Sequence, residues 1–374
     1  MSKSPDCIVV GGGVIGLAVA RRLAQEGMHI TLLERGECGR ESSWAGAGVA
    51  KPSDPRRDDA VARLRARSLQ VYAEFCAAVR EESGVDPQYD ACGEMELLLT
   101  QNSFEDANAR ESAAAGRNTP DGQPQFELHA PEKTHALEPA VAPNVFGALE
   151  CRSTLQVRSP RLLAGLIEAC RRAGVEIRQS THVRDFLVDA GRVVGISADA
   201  GEIAAGKVVL CAGAWSSQIG LRLHSLMPVH PVRGQIVLIR CEHRPFRRVI
   251  SHGKTYLVPR RDGHVLLGST EEPEAGFQKR NTAQATAFLT TRAMELVPAL
   301  ERATIVATWS GLRPGTPDDL PYLGFVPGID GLIAATGHYR SGLALAPVTA
   351  EIVRSLMCGR EYDIDISPCR PGRG

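Results

Sequence analysis

Short apolar runs alternate with amphipathic stretches in the first part of the chain. Residues 7–10 (CIVV) form the kind of apolar run that a buried parallel strand shows. Residues 17–27 (LAVARRLAQEG) carry a polar stripe at helical spacing and end at a glycine, and residues 29–34 (HITLLE) indicate a second strand. Strand, glycine-rich turn, helix and strand in this order predict the start of a doubly wound sheet.

The later part of the chain mixes two kinds of pattern. Apolar residues at helical spacing predict helices over 60–83, 160–173 and 283–297. Short strands joined by turns, the pattern of antiparallel strands, occupy 183–198 and 228–270. The chain closes with a strand, a glycine turn and a helix over 331–357.

This alternation predicts an α/β fold made of two interleaved domains. A Rossmann-type dinucleotide-binding domain would take residues 1–80, 150–220 and 325–365. A smaller α+β substrate domain, built on an antiparallel or mixed sheet, would take residues 81–149 and 221–324.

Composition excludes several classes of function. Lys plus Arg total 43 and Asp plus Glu total 43, so neither a basic nucleic-acid face nor an acidic tail is indicated. The ten cysteines form no CxxC pair and no zinc spacing, which predicts reduced thiols and no metal site. With no signal peptide and no apolar run closer to spanning a bilayer than residues 7–20, we expect a cytoplasmic homo-oligomer that binds neither membrane nor nucleic acid.

A dinucleotide signature follows the first strand. Gly11, Gly13 and Gly16 fit G-x-G-x-x-G, where glycine permits the tight turn, the approach to a pyrophosphate and the packing of helix on strand. Glu34 ends the second strand, where its carboxylate can accept hydrogen bonds from ribose hydroxyls and would repel a 2′-phosphate. The alternative is a glycine-rich turn without a ligand.

Two further segments favour a flavin over a nicotinamide dinucleotide. Residues 207–215 (KVVLCAGAW) form an apolar strand ending in small residues, beside which a long ligand can lie. Residues 337–342 (GHYRSG) place a second helix N-terminus late in the chain. A ligand held from both ends of the chain indicates FAD.

Seven segments together resemble the D-amino-acid oxidase and glycine/sarcosine oxidase family of flavoproteins, and within it the glycine oxidases of the thiamin thiazole pathway. They are VVGGGVIGLAVARRLAQEG (9–27), GRESSWAGAGV (39–49), VLCAGAWS (209–216), YLVPR (256–260), LLGSTEE (266–272), SGLRPGTPDDLPYLG (310–324) and GHYRSGLALAP (337–347). The resemblance implies FAD and oxidative deamination of glycine, and of sarcosine or small D-amino acids, with oxygen reduced to hydrogen peroxide. The imine product would leave for hydrolysis to glyoxylate and ammonia or for thiazole synthesis.

The resemblance also implies a set of cofactor residues. Glu34 and Arg35 would hold the adenosine ribose, and Val183 would meet the adenine through its backbone. The whole predicted set is Gly11, Gly13, Val14, Ile15, Gly16, Glu34, Arg35, Ser42, Ser43, Ala47, Gly48, Val49, Val183, Ala212, Gly213, His338, Arg340, Ser341, Gly342 and Leu343. Because no cysteine lies near the substrate arginine in sequence, Cys358 being the nearest, the FAD is expected to be non-covalent.

Arg313 is the predicted substrate anchor. It lies among glycines and prolines in TWSGLRPGTPDDLPYLG (308–324), and a planar guanidinium can grip a carboxylate through two parallel hydrogen bonds. The alternative is an ion pair with Asp318 or Asp319 across the same turn. Tyr256 would add a hydroxyl donor to the carboxylate, or only pack on its sheet. Arg340 would help hold the carboxylate or stabilise negative charge on the reduced flavin.

Two residues depart from the family pattern and leave the substrate open. Glu271 occupies a position where an apolar residue is expected, and Lys254 one where a histidine is expected. Glu271 would accept from the substrate amine or be an exposed acid at a strand end. No protein base for Cα is legible, so we expect hydride transfer from Cα to flavin N5, assisted by a neutral amine. One alternative is a D-amino-acid or imino-acid dehydrogenase that passes electrons to a quinone or another acceptor. The others are an oxidase of larger D-amino acids or of proline-like imino acids, and a flavin-binding protein without turnover.

Overall fold

A computed structural model describes residues 4–220 and 223–373 of the chain. The predicted domain segments that begin at residues 1 and 221 therefore start outside the described residues. The strands, in chain order, are β1 (Cys7–Val10), β2 (Ile30–Leu33), β3 (Val49–Ala50), β4 (Glu94–Leu98), β5 (Phe126–His129), β6 (Gly147–Cys151), β7 (Leu155–Gln156), β8 (Glu176–Arg178), β9 (Val183–Asp189), β10 (Arg192–Ala198), β11 (Gly201–Ala204), β12 (Val208–Leu210), β13 (His230–Arg240), β14 (Val249–His252), β15 (Thr255–Pro259), β16 (His264–Gly268), β17 (Thr304–Gly315), β18 (Tyr322–Phe325) and β19 (Leu332–Thr336).

The helices lie between these strands and take up the amphipathic stretches of the sequence. They are α1 (Val14–Gln25), α2 (Ser42–Ala45), α3 (Ala60–Ser83), α4 (Gln101–Ala113), α5 (Pro131–Leu137), α6 (Ser159–Arg172), α7 (Leu223–Leu226), α8 (Ala283–Leu296) and α9 (Gly342–Cys358). A 3₁₀ turn, Tyr339–Ser341, leads directly into α9.

A six-stranded sheet carries the dinucleotide signature. Its order is β18-β19-β12-β1-β2-β8, and every neighbouring pair is parallel except β18 with β19. One apolar core lies between this sheet and helices α1, α3, α6 and α9, and a second lies between the sheet and β9–β11. Since both faces are covered, β1, β2 and β19 are buried throughout, as their apolar runs predict.

An eight-stranded mixed sheet forms the other large layer. Its order is β17-β13-β16-β15-β14-β4-β6-β5, antiparallel except for the parallel pair β14–β4. Helix α8 packs with apolar residues on one face of this sheet. The other face carries Ile236, Val258 and Leu266, which pack against Ala47 of the segment after α2. The second face therefore roofs the region at the ends of the parallel strands.

The predicted α/β fold class is confirmed, with one sheet largely parallel and the other mixed. The division into two domains at the stated boundaries stays a prediction.

Two details of the sequence reading are wrong. The sequence places Arg313 in a turn framed by glycines and prolines, yet the residue lies in the last part of the twelve-residue strand β17. Residues 7–20 were expected to come closest to a membrane span, yet Tyr339–Cys358 does: this helix alone in the described chain has the length and hydropathy to cross a bilayer. Its most apolar window is 67% buried inside the fold, as in a core helix.

Candidate active site

The glycine signature packs β1 against the start of α1. Gly11 has φ +110°, and a Cβ there would lie 2.4 Å from the Cys211 carbonyl oxygen. A Cβ on Gly16 would lie 1.9 Å from the Gly11 carbonyl oxygen, so that only glycine lets the helix approach the strand. Gly13 caps α1 without a side chain, which leaves the helix N-terminus facing the cavity.

Glu34 and Arg35 follow β2 at the same edge of the sheet. The two carboxylate oxygens of Glu34 accept hydrogen bonds from the backbone N–H groups of Gly12 (2.7 Å) and Gly36 (2.9 Å). The Arg35 guanidinium lies over the Trp215 ring, 3.5 Å from its centroid. Both side chains are thus fixed on the cavity wall, in the place where the sequence predicts the adenosine ribose.

The segment from Ser42 to Val49 forms a second wall of the cavity. Ser43 Oγ accepts from the backbone N–H of Val14 at 3.0 Å, which joins this segment to α1. The buried Arg260 donates to the Ala47 carbonyl oxygen at 2.7 Å. A Cβ on Gly48 would come within 2.0 Å of the Val157 carbonyl oxygen, so this wall is packed tightly from behind.

A single cavity of about 720 Å³ runs from the glycine signature to the mixed sheet. Of all the site residues predicted from the sequence, only Gly16 lies off its wall. The basic side chains on the wall outnumber the acidic ones: Arg35, Lys51, Arg57, Arg65, Lys254, Arg313 and Arg340 against Glu34, Glu41, Glu94, Glu271 and Asp319. A pyrophosphate and a carboxylate suit such a wall, and the glycine cradle leaves room for the close approach of a dinucleotide. The residues present therefore fit FAD.

Arg313 and Tyr256 lie flat on the roof of this cavity, each over a glycine. A Cβ on Gly234 would lie 2.2 Å from Arg313 Nη2, and a Cβ on Gly268 would lie 2.6 Å from the Tyr256 hydroxyl oxygen. Gly268 pairs with Tyr256 across β15–β16 and is followed by Ser269, whose Oγ accepts from Arg313 Nη2 at 2.7 Å. The guanidinium and the phenol therefore meet on one patch of the sheet.

The guanidinium of Arg313 has only neutral partners in the described residues. Besides Ser269, it donates to the Thr270 carbonyl oxygen from both Nη1 and Nη2, at 3.2 Å each. Asp318 pairs instead with Arg373 at 2.8 Å, so the predicted alternative of an Arg313 ion pair with Asp318 is wrong. Tyr256 has no hydrogen-bond acceptor among the described residues, and it lines the cavity.

Glu271 joins the roof to the loop before α9. It pairs with Lys254 at 2.7 Å, accepts from the Tyr339 hydroxyl at 2.5 Å and lies 3.6 Å from Arg340 Nη1. Hydrogen bonds from Lys254 and Tyr339 lower the pKa of Glu271 to about 2, and burial together with Glu271 raises the pKa of Tyr339 to about 12. Glu271 is therefore a half-buried carboxylate that contacts Lys254, Tyr339 and Arg340, rather than a free exposed acid at a strand end.

His338 lies under the N-terminus of α9 and bonds the protein. Its Nε2 lies 3.1 Å from Thr349 Oγ1, and burial lowers the pKa of His338 to about 3. With this pKa the ring is neutral at physiological pH.

Sequence reasoning missed the residues that hold the predicted ones in place. Gly234, Gly268 and Ser269 position the clamp, and Glu94 holds the cavity residue Lys51 through a 2.6 Å ion pair. A glycine in the interior of a strand often marks the close approach of another group. Gly234 within residues 231–240 (PVRGQIVLIR) therefore could have indicated such a contact from the sequence. Nothing in the sequence pairs Lys51 with Glu94.

Comparisons with known proteins relate the whole chain to flavin-dependent oxidoreductases. The protein-family profile described as FAD dependent oxidoreductase matches residues 6–356. A glycine oxidase of Pseudomonas aeruginosa is 40% identical over 370 residues, which cover 98% of this chain and 99% of that protein. The bifunctional protein ThiO/ThiG of Synechocystis is 31% identical over 100% of this chain and 54% of its own length. The crystal structure of glycine oxidase from Geobacillus kaustophilus superposes with a TM-score of 0.94, at 30% identity and 100% coverage of both chains.

Proposed function

The chain belongs to the DAO family of FAD-dependent oxidoreductases, and on that premise we propose that it is a glycine oxidase. It would oxidise glycine, and sarcosine or small D-amino acids, by hydride transfer from Cα to flavin N5. The products would be the imine, then glyoxylate and ammonia, with oxygen reduced to hydrogen peroxide. The observation that carries the proposal is the pair of donors Arg313 and Tyr256, laid over glycines on the roof of a cavity that fits FAD.

Arg313 is the proposed anchor of the substrate carboxylate. Its protein partners are a hydroxyl and a backbone carbonyl, neither of which is charged. A carboxylate competes well for these donors, because it adds the attraction of opposite charges and can accept two parallel hydrogen bonds from the planar guanidinium. The Ser269 hydroxyl thus accepts a hydrogen bond from Arg313 Nη2 that a substrate carboxylate oxygen would accept instead.

Tyr256 is proposed to donate to the same carboxylate. Its hydroxyl has no acceptor in the described part of the chain and lies next to the residue that binds Arg313. Two donors on one sheet, Arg313 from β17 and Tyr256 from β15, would fix both the position and the tilt of a small acid, which holds its Cα–H at near-contact distance from the acceptor. Bound FAD supplies the acceptor for the electron pair that leaves with this hydrogen and passes it to oxygen.

The proposal needs no protein base at Cα. Glu271 is the carboxylate beside the clamp, and its pKa of about 2 makes it too weak a base to take a proton from carbon. Tyr339 keeps its proton because its pKa is about 12. The substrate amine, bound neutral, assists the departure of hydride with its own lone pair.

The FAD is proposed to be non-covalent. Cys358 lies at the exposed end of α9, and the cysteine on the cavity wall is Cys211, beside Gly11 at the nucleotide end.

All ten cysteines are free thiols, which favours a reducing compartment such as the cytoplasm. The match to half of a bifunctional relative favours a product that is handed to a neighbouring step, as in thiazole synthesis.

Peroxide formation under air tests the proposal. The purified yellow protein is mixed with glycine, sarcosine, D-alanine or D-proline, and hydrogen peroxide is measured against consumed oxygen. Glycine should give one peroxide for each oxygen. Turnover with a quinone dye but none with oxygen would indicate a dehydrogenase, and a preference for D-proline would indicate an imino-acid enzyme.

A further inference from the structure

Arg65 on helix α3 is a cavity-lining guanidinium without an ion-pair partner in the described part of the chain. Its Nη2 donates to the neutral Ser341 Oγ at 2.5 Å, and its Nε is buried with no hydrogen-bond partner. The neighbouring basic groups differ from it, since Arg57 pairs with Asp59 at 2.5 Å and Arg340 lies 3.6 Å from Glu271. Burial, then the charges of Arg57 and Arg340, lower the pKa of Arg65.

The guanidinium lies beside the N-terminus of α9. Ser341 precedes the seventeen residues of that helix, and neither a capping side chain nor an acidic residue occupies its first turn. Two more contacts fix α3 to this turn: Ser68 donates to the Ala344 carbonyl oxygen at 2.5 Å and Tyr72 to the Leu343 carbonyl oxygen at 2.9 Å. These contacts hold the part of α3 that carries Arg65 against the turn.

Two positive features thus converge where no described carboxylate forms an ion pair with Arg65, although the charge of Asp59 acts on its guanidinium. The first N–H groups of a helix carry about half a positive charge, and a largely buried guanidinium adds a full one. A largely buried charge without a counter-ion is costly, so an anionic or electron-rich ligand would stabilise the arrangement. The family resemblance makes Ser341, Gly342 and Leu343 cofactor residues and implies that they reach the flavin ring, which becomes negative when it is reduced.

We propose that Arg65 supplies a fixed positive charge beside the flavin ring and thereby favours its reduced, anionic form. This role rests on the FAD site of the proposed function and is independent of which amine is oxidised. Arg65 acts on the electron affinity of the cofactor, whereas Arg313 acts on the position of the substrate. The two roles therefore separate in experiment.

Sulfite binding to the holoenzyme tests this role without an amine substrate. Sulfite adds to flavin and leaves a negative charge on the ring, so its affinity reports nearby positive charge. Arg65→Gln should weaken sulfite binding about tenfold or more, which corresponds to a fall of about 30 mV in the two-electron potential. Arg65→Lys keeps the charge and should stay within about threefold of the wild type. Arg67→Gln, two residues away on the exposed face of α3, should change nothing.

Each outcome decides the matter. Unchanged sulfite affinity and potential in Arg65→Gln would overturn the proposal. A raised KM for substrates with a second acidic group, with sulfite binding intact, would assign Arg65 to the substrate instead. If Arg65→Gln loses its FAD, the measurement is made on Arg65→Lys. A tenfold loss of sulfite affinity in Arg65→Lys would overturn the proposal, because the positive charge is kept and only the guanidinium geometry is lost. Failure to oxidise glycine alters none of these readings.

Discussion

The guanidinium of Arg313 lies where a side chain on Gly234 would stand. The two residues belong to the paired strands β17 and β13, and a Cβ on Gly234 would come within 2.2 Å of Nη2. Because glycine leaves this space open, the guanidinium lies flat on the sheet and reaches Ser269. The clamp is thus held by a strand ladder and an empty glycine position rather than by a rigid loop.

Gly234→Ala should displace the clamp without unfolding the protein. The new methyl group meets the far end of a flexible side chain, so Arg313 can move aside. A displacement of about 1 Å at the reacting end costs on the order of 100-fold in catalysis, and we expect kcat/KM for glycine to fall roughly tenfold to 100-fold while FAD stays bound. Steady-state peroxide assays measure this. Gly206→Ala, which meets no atom within 4 Å, is the control; equal effects of the two substitutions would contradict the account.

Tyr256→Phe removes one donor and leaves the ring in place. A hydrogen bond to a charged group contributes about 1.5–3 kcal/mol, so kcat/KM for glycine should fall roughly tenfold to 100-fold. The same substitution at Tyr362, away from the cavity, should have no effect. A Tyr256→Phe enzyme as efficient as the wild type would mean that the phenol only packs on its sheet.

Glu271→Gln tests the absence of a catalytic base. The charge that orders Lys254 and Arg340 is lost, so KM for glycine should rise several-fold, while kcat changes little because Glu271 does not act at Cα. In the wild type, a carboxyl group with a pKa of about 2 should give no inflection in the rate above about pH 4. A loss of kcat beyond about 100-fold with an unchanged KM would assign Glu271 a proton-transfer role.

His338 should make stability depend on pH in the acid range. Burial lowers its pKa from 6.5 to about 3, so below pH 6.5 the unfolded chain binds a proton that the folded protein does not. Stability is then lost as the pH falls, by up to about 1.4 kcal/mol for each pH unit. From about pH 7 to about pH 5 the holoenzyme should lose about 2 kcal/mol more than His338→Gln does, measured by urea unfolding with excess FAD. Parallel losses in both proteins would show that another group is responsible.

The sequence predicted the local elements well where one amphipathic pattern governs them. The helix predicted over 60–83 is α3, Ala60–Ser83, and the glycine signature lies between β1 and α1 as expected. Such patterns depend on residues a few positions apart, which fold against one surface.

Contacts across the sheets could not be predicted in the same way. Arg313 depends on Gly234 and Ser269, and Glu271 on Lys254 and Tyr339, which come together only when the strand register is fixed. A shift of one residue in register would turn these side chains to the opposite face. The sequence analysis also overlooked that helix α9 comes closer to a membrane span than residues 7–20 do. A core helix and a membrane span share length and apolar composition, so these two features alone do not separate them.

The most direct test of the clamp is an anaerobic titration of the yellow holoenzyme with glycine. The wild type should bleach as the flavin takes up hydride, with a rate that saturates as glycine rises. Arg313→Ala should remain yellow as purified, and its bleaching rate should fall on the order of 1,000-fold and no longer saturate. Saturable bleaching of Arg313→Ala at the wild-type rate would show that the carboxylate is held elsewhere.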